Sequence, residues 1–307
     1  MIVGAGLSGL IAAHAFPKMP ILEAASEPRE QHKALLRFRS DVVSKVTGIP
    51  FRKVRVRKGI WYDGQFVEPS IRMANFYSFK CFGKFIGDRS IWNLDAADRW
   101  IAPEDFYWQL IDSMKSRITW GAAVTFGGRD HDHTPMISTA PMHVMADGCG
   151  ISAALAVEFQ RERVNVHRYR IKGADVHQTI YFPGPLQYLY RASITGDMLI
   201  AESVYLPGTA HEQQPRSEIN DMCKAFGITP DLLEPLESVS QRYGKIAPID
   251  ERTRKAIIST LTNDHNIYCL GRFATWRNIL LDDVVGDAGV IKQLIHASPY
   301  ERKMRQA

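Results

Sequence analysis

Apolar positions along this chain come in short blocks. Met1, Ile2 and Val3 lead into Gly4-Ala5-Gly6-Leu7-Ser8-Gly9, and "LIAAHAF" continues as a helix-like run. The block "PIL" follows and closes on Glu23, 19 residues after Gly4. This pattern predicts strand, glycine turn, helix and strand. Further on, "FRKVRVRKG" alternates strictly, with Lys53, Arg55 and Arg57 on one side and Val54 and Val56 on the other, as a strand requires. "IWYDGQFVEP" reads as the returning arm of a hairpin through Asp63-Gly64. Residues 70–120 are aromatic-rich and expected to be mostly helical, with a helix starting at Pro103. "PMISTAPMHVMADGCG" reads as an apolar strand ending in a turn at Thr139, Ala140 and Pro141 and returning to the first sheet. From about 155 to 243 the alternation predicts antiparallel strands, and in "HRYRIK" Arg168, Arg170 and Lys172 share a face. "RSEINDMCKAFG" reads as a helix closed by Gly227, and "NIYCLGR" as a late short strand before a last helix.

The spacing G-x-G-x-x-G has a physical content. The first glycine permits a tight turn, the second lets a pyrophosphate approach the backbone, and the third lets the helix pack closely on the strand. The helix N-terminus then offers free N–H groups to the anion. Glu23 stands where an acid takes the ribose hydroxyls of a dinucleotide. A glycine-rich turn in an ordinary α/β domain is the alternative reading.

Composition narrows the class. With 307 residues, 45% of them hydrophobic and 23% charged, the chain fits a globular protein of about two lobes. No apolar run approaches the roughly 18 to 20 residues of a membrane span. The first twenty residues are apolar as in a secretory signal but lack a basic leading segment, so the expected location is cytoplasmic. Cys81, Cys149, Cys223 and Cys269 are scattered without metal spacing, and no metal is expected. The net charge of +5 and pI near 9.0 hint only weakly at a polyanionic partner. Its placement on two strands, through Arg55, Arg57, Arg168 and Arg170, carries more weight. Those cations would contact DNA phosphates, or would simply protect solvated strand edges.

Three spaced elements, "IVGAGLSGLIAA...ILEA", "MISTAP" and "NIYCLGRFATW", make the chain resemble the FAD-containing superfamily that includes amine oxidases and UDP-galactopyranose mutases. The resemblance implies an α/β fold with a Rossmann-like FAD-binding domain of the GR2 type and a second, substrate domain built on an antiparallel sheet plus helices. The expected division is 1–60, 135–155 and 245–300 for the FAD-binding domain, 61–134 for a helical and aromatic insertion, 156–244 for the substrate domain, and 301–307 for a basic tail. It also implies FAD at Gly4, Gly6, Leu7, Ser8 and Gly9, its ribose at Glu23, and its flavin end beside Gly271 and Arg272. The chain departs from the family in being short and in lacking a second G-x-G-x-x-G. Where amine oxidases often carry Arg-Gly-Gly, it has "EPREQHKALLRFRS", so Arg37, Arg39 and Ser40 are expected to meet the pyrophosphate or the flavin.

A narrower likeness is to bacteriophage flavoproteins, through "LLRFRS...GIPFRKV...GKIAPID...GRFATWRN". Some of these belong to thymidine hypermodification, where an FAD-dependent lyase or oxidase turns a glycyl-modified thymine in DNA into aminomethyluracil. The resemblance therefore implies an FAD-dependent oxidoreductase or lyase acting on a C–N bond, with DNA as partner. Arg39, Lys245, Tyr243 and Trp276 are the catalytic candidates. Arg39, Arg191 and Arg277 would clamp a carboxylate, and Tyr188, Tyr190, Tyr243 and Trp276 would form an aromatic pocket or stack on an extruded base. Two alternatives stay open. One is a small-molecule flavoenzyme, either an amine oxidase or a mutase-like enzyme that needs reduced flavin. The other is a nucleic-acid-binding protein without catalysis.

Overall fold

In the computed structural model, residues 1–29, 36–85, 91–127, 134–151, 157–204 and 214–297 are described. β1 (Ile2–Val3), α1 (Leu7–Ala15) and β2 (Ile21–Glu23) form the opening unit. Next come β3 (Arg37–Phe38), α2 (Val42–Thr47), β4 (Arg52–Tyr62), β5 (Gln65–Val67), α3 (Ile71–Phe82), β6 (Ala97–Ile101), α4 (Phe106–Met114) and β7 (Ile118–Trp120). β8 (Met136–Ser138) and α5 (Met142–Gly148) precede β9 (Arg161–Arg170), β10 (Val176–Tyr181), β11 (Leu189–Gly196) and β12 (Met198–Val204). The chain continues through α6 (Arg216–Phe226), β13 (Glu234–Ile246), α7 (Glu251–His265), β14 (Ile267–Cys269) and α8 (Leu281–His296).

Two sheets result. The smaller is parallel throughout, in the order β14-β8-β1-β2-β7. Its short strands are apolar on both sides because helices cover both faces. Leu10, Ile11, Phe106, Ile137 and Val284 pack on one face, and Met136, Met145, Ile257, Leu261 and Ile267 on the other. The larger sheet runs β13-β9-β12-β11-β10-β4-β6-β3, with β5 paired to β4. α6 covers one of its faces through Met222 and Cys223, and α3 covers part of the other through Met73, Tyr77 and Phe82.

Several sequence expectations need correction. The hairpin turns at Asp63-Gly64, with φ +53° and +76°, but "IWY" belongs to the outgoing strand and the return is only Gln65–Val67. Residues 70–120 contain β6 and β7 besides their helices, and the helix read from Pro103 begins at Phe106. α5 follows the Thr139-Ala140-Pro141 turn, where no helix is anticipated. β4 pairs in parallel with β10, so the large sheet is mixed, and β3 and β4 lie in it although the sequence division puts 1–60 with the nucleotide-binding part. The basic tail at 301–307 lies outside the described residues.

Register also separates the two basic strands. Arg57 pairs with Gln178, which pairs with Ile194, then Leu199, then Tyr169. Lys58 pairs with Thr179, then Ser193, Ile200 and Arg168. Paired residues share a face and neighbours along a strand do not. Arg55 and Arg57 therefore project from the face opposite to Arg168 and Arg170.

Candidate functional site

The glycine turn lies at the carboxyl end of β1, in the crevice where open α/β sheets take ligands. Gly4 has φ +102°, and a Cβ there would stand 2.2 Å from Thr139 Oγ1. A Cβ on Gly9 would stand 1.9 Å from the Gly4 carbonyl oxygen. Both glycines are thus demanded by the protein's own packing. Gly6 differs: it caps α1 at φ −74° and ψ 174°, which any residue adopts, and a Cβ there would meet nothing within 4 Å. No side chain caps α1, and no acid stands in its first turn. Glu23 accepts from the Ala5 and Ala25 N–H groups at 2.7 and 3.0 Å, which ties the end of β2 to the turn.

The late strand returns to the same place. Gly271, at φ +88°, packs so closely on α1 that a Cβ would lie 2.7 Å from Ser8 Oγ. Arg272 donates to the Gly244 carbonyl at 3.3 Å, which joins this loop to the end of β13. Trp276 adopts φ +49°, a left-handed conformation that costs a bulky residue energy. It is held by full burial and by a 2.9 Å hydrogen bond from Nε1 to the Ala247 carbonyl. Its ring meets His143 and Phe159 edge-on, and His143 stacks on Tyr243. Arg161 donates to Tyr243 Oη and contacts His143 Nε2, at 3.1 and 3.0 Å. Burial, and then Arg161, lowers the His143 pKa, which favours the neutral imidazole.

A second group sits on the face of the large sheet that carries Thr179, Ser193 and Arg191, here called the polar face. Arg191 donates to both Glu202 oxygens, by Nε and, at 2.7 Å, by a terminal nitrogen. Tyr190 donates to Glu202 at 3.0 Å, and the Lys245 ammonium stands 4.0 Å from the Tyr190 ring centroid. Burial opposes the charge on Glu202, but Arg191 and Lys245 outweigh it and hold the carboxyl below its ordinary range. Arg191 is likewise held well above its usual value by Glu202 and Tyr190 despite burial. Lys245 is 2% exposed and reaches bulk water hardly at all.

The anticipated residues therefore divide. Gly4, Gly6, Leu7, Ser8, Gly9, Glu23, Gly271 and Arg272 come together at one crevice. Arg37 does not join them; its guanidinium lies on the polar face, donating to Thr195 Oγ1, Thr179 Oγ1 and the Gln178 and Ile194 carbonyls. Arg39 pairs with Asp283 and Ser40 with Asp282, at the start of α8. Arg277 pairs with Asp287, so Arg39, Arg191 and Arg277 each hold a carboxylate of this chain. The aromatic candidates form no single pocket: Tyr190 packs on Tyr77, Tyr243 and Trp276 gather at His143, and Tyr188 is anchored through its backbone to Glu218 and Val204. In the basic strands Arg55 pairs with Asp98, Arg168 with Glu237 and Glu104, and Arg170 with Glu104 and Asp197, while Arg57 is exposed.

Sequence reasoning missed His143, Arg161 and Glu202. A signal existed for Glu202 alone: a hairpin centred on Gly196-Asp197 puts it opposite Arg191. Among the described residues there is no cluster suited to a metal ion and no helix long and apolar enough to cross a membrane.

No family model matches the sequence, and no curated protein matches it. Solved structures do. Reduced UDP-galactopyranose mutase aligns with a TM-score of 0.67 at 14% identity, covering 98% of this chain and 96% of that one. A CLA-producing fatty acid isomerase from P. acnes aligns at 0.59 and 13%, covering 95% and 97%. Klebsiella pneumoniae HpxO complexed with FAD and uric acid aligns at 0.54 and 14%, covering 97% and 79%. At such identities the likeness establishes the fold: a mixed α/β architecture shared with Rossmann-type flavoproteins.

Proposed function

We propose that this chain binds FAD and uses it to oxidise and cleave a C–N bond in an amine that carries an acid group. The observation that carries the FAD reading is Gly6. Packing accounts for Gly4 and Gly9, whereas Gly6 is under no internal steric demand, and its open space at an uncapped helix N-terminus suits a pyrophosphate. Gly271 against Ser8 supplies a second close approach at the same crevice. The fold shared with HpxO in its FAD complex supports the same cofactor.

In this reading the N–H groups of the first turn of α1 hold the pyrophosphate, Glu23 takes the ribose, and Gly271 with Arg272 lies toward the flavin. When bound, FAD supplies a two-electron acceptor for the carbon beside the amine nitrogen. The protein's own part is to hold the acid group by charge on the polar face and to keep water out with Tyr77, Tyr181 and Tyr190. The first substrate we put forward is a glycyl-modified thymine in DNA, on the likeness to bacteriophage flavoproteins. Oxidation of its glycyl C–N bond to an imine, then hydrolysis, yields glyoxylate and aminomethyluracil. Because Arg55, Arg168 and Arg170 already have acidic partners, phosphates at those positions would have to displace internal ion pairs.

The test is the visible spectrum of purified protein, with the released chromophore identified, followed by assay of glycyl-modified DNA against free amines at two salt concentrations. Yellow protein that releases FAD and forms glyoxylate from the DNA, less at high salt, is the expected result. Colourless protein that takes up no added FAD overturns the proposal. The long alignment with UDP-galactopyranose mutase favours one second reading, a non-redox reaction on a sugar nucleotide. UDP binding, with activity only after reduction of the flavin, would select it.

A further inference from the structure

One end of the polar face of the large sheet gathers cations that, among the described residues, meet few carboxylates. Lys58, Thr179 and Ser193 form one cross-strand row, Arg191 lies two residues from Ser193, and Arg37 crosses the row to reach Thr179 and Thr195. Arg99, on β6 opposite Val54, faces the same side and lies close enough to repel both Arg37 and Lys58. Among the described residues, Arg191 alone of these four cations meets a carboxylate, Glu202, and Arg37 donates only to hydroxyls and carbonyls. Lys58 reaches the Asn93 carbonyl at 3.4 Å, and Arg99 reaches the Asp98 carbonyl at 2.7 Å. Exposed Asp95 also lies near them, and its charge acts on Lys58.

On the opposite face Lys53 and Arg55 share Asp98, and farther along the polar face itself Arg168 and Arg170 share Glu104. Among the described residues Arg37, Lys58 and Arg99 have no such partner, and they are half-buried, so solvent screens them poorly. Burial, then Arg191 and Arg99, pushes the Arg37 guanidinium down to about 9 in spite of Tyr181 and Glu202. Such a surplus is unfavourable in the protein alone and becomes favourable once an anion enters.

We infer that Arg37, Lys58, Arg99 and Arg191 line a site for an oxyanion, the carboxylate or phosphate group of the substrate. Guanidinium groups suit that chemistry because their paired donors match two oxygens of one group. The site deepens the proposed function and rests on it only in assigning the anion to a substrate.

Calorimetric titration of the full chain with N-benzylglycine, N-benzylglycinamide and inorganic phosphate tests the inference. N-benzylglycine or phosphate should bind, and the uncharged amide should bind at least about tenfold more weakly than the carboxylate. Lys58→Gln and Arg99→Gln should each weaken the anion about tenfold while leaving the amide unmoved, with folding verified by thermal melts. Arg99→Lys, which keeps the charge, should restore part of the loss and guards against a variant that merely misfolds. Binding of N-benzylglycine identifies the carboxylate as the source, and binding of phosphate alone identifies a phosphate; both support the site. Failure of both anions to bind, or undiminished binding in both glutamine variants, overturns it. No FAD is needed, so colourless protein that binds the anion would sink the flavin reading and keep this site, and yellow protein without anion binding would do the reverse.

Discussion

The small parallel sheet and the large mixed sheet handle polar groups in opposite ways. Around the small sheet the chemistry belongs to the backbone: a turn bent at Gly4, an open approach at Gly6, free N–H groups on α1, and Gly271 pressed on Ser8. On the large sheet it belongs to side chains that start far apart, as in Arg37 donating to Thr195 or Tyr190 and Lys245 gathering at Glu202. The glycine turn is set mostly by short-range sequence, with Thr139 and Gly271 closing on it from far along the chain, whereas a charged face exists only once the strands are in register. Under the proposed function the first region would hold a constant part of the cofactor, and the second would read a variable partner.

The sharpest way to break this comparison lies within the glycine turn itself. Gly9→Ala forces a Cβ against the Gly4 carbonyl and should cost about 3 kcal/mol or more, seen as a large fall in the urea midpoint. Gly6→Ala should stay within about 0.5 kcal/mol of the parent in the same melt, yet bind FAD at least about tenfold less tightly. Equal effects of the two would remove the distinction between packing and ligand glycines.

On the large sheet, Glu202→Leu leaves Arg191 without its carboxylate and should cost about 3 kcal/mol. The double variant Arg191→Met with Glu202→Leu should recover part of that loss, and a denaturant double-mutant cycle measures how much. Additive single effects would mean that the pair is not a unit.

A smaller effect comes from Lys80, which donates to the Phe182 and Leu189 carbonyls at 2.7 Å and so ties α3 to the large sheet. Burial lowers its pKa from 10.5 to about 7. Above pH 7 the unfolded chain keeps a proton that the folded chain has lost, so stability rises with pH. The slope should be at most about 1.4 kcal/mol per unit. Urea melts at pH 7 and 8.5 should show the rise in the parent and flatten it in Lys80→Met; unchanged slopes would assign the ammonium a solvated role. Smallest of all, Asp63→Ala should lose about 1 kcal/mol, because alanine tolerates the left-handed turn less well than aspartate. A thermal melt that does not move would show that the β4–β5 hairpin contributes little.

Legibility followed the same divide. The βαβ opening, the return of "MISTAP" to the first sheet and the position of Gly271 were readable, since each depends on a local turn and a short apolar block. The strand identity of "FRKVRVRKG" was readable too, but not that it extends through "IWY" to pair in parallel with β10. α5 escaped notice because its seven residues are too few for helical periodicity to show. Arg39, Arg191 and Arg277 looked like free clamps in sequence, and the fold gave each of them a carboxylate.

By itself the sequence determined the glycine turn at the start of α1 and the class of fold, because glycine conformations and apolar blocks act over a few residues. Only the tertiary structure decided which cations keep their charge unbalanced. Side-chain pairing depends on register across strands tens of residues apart, and a shift of one position would turn Lys58, Thr179, Ser193 and Arg191 to the opposite face.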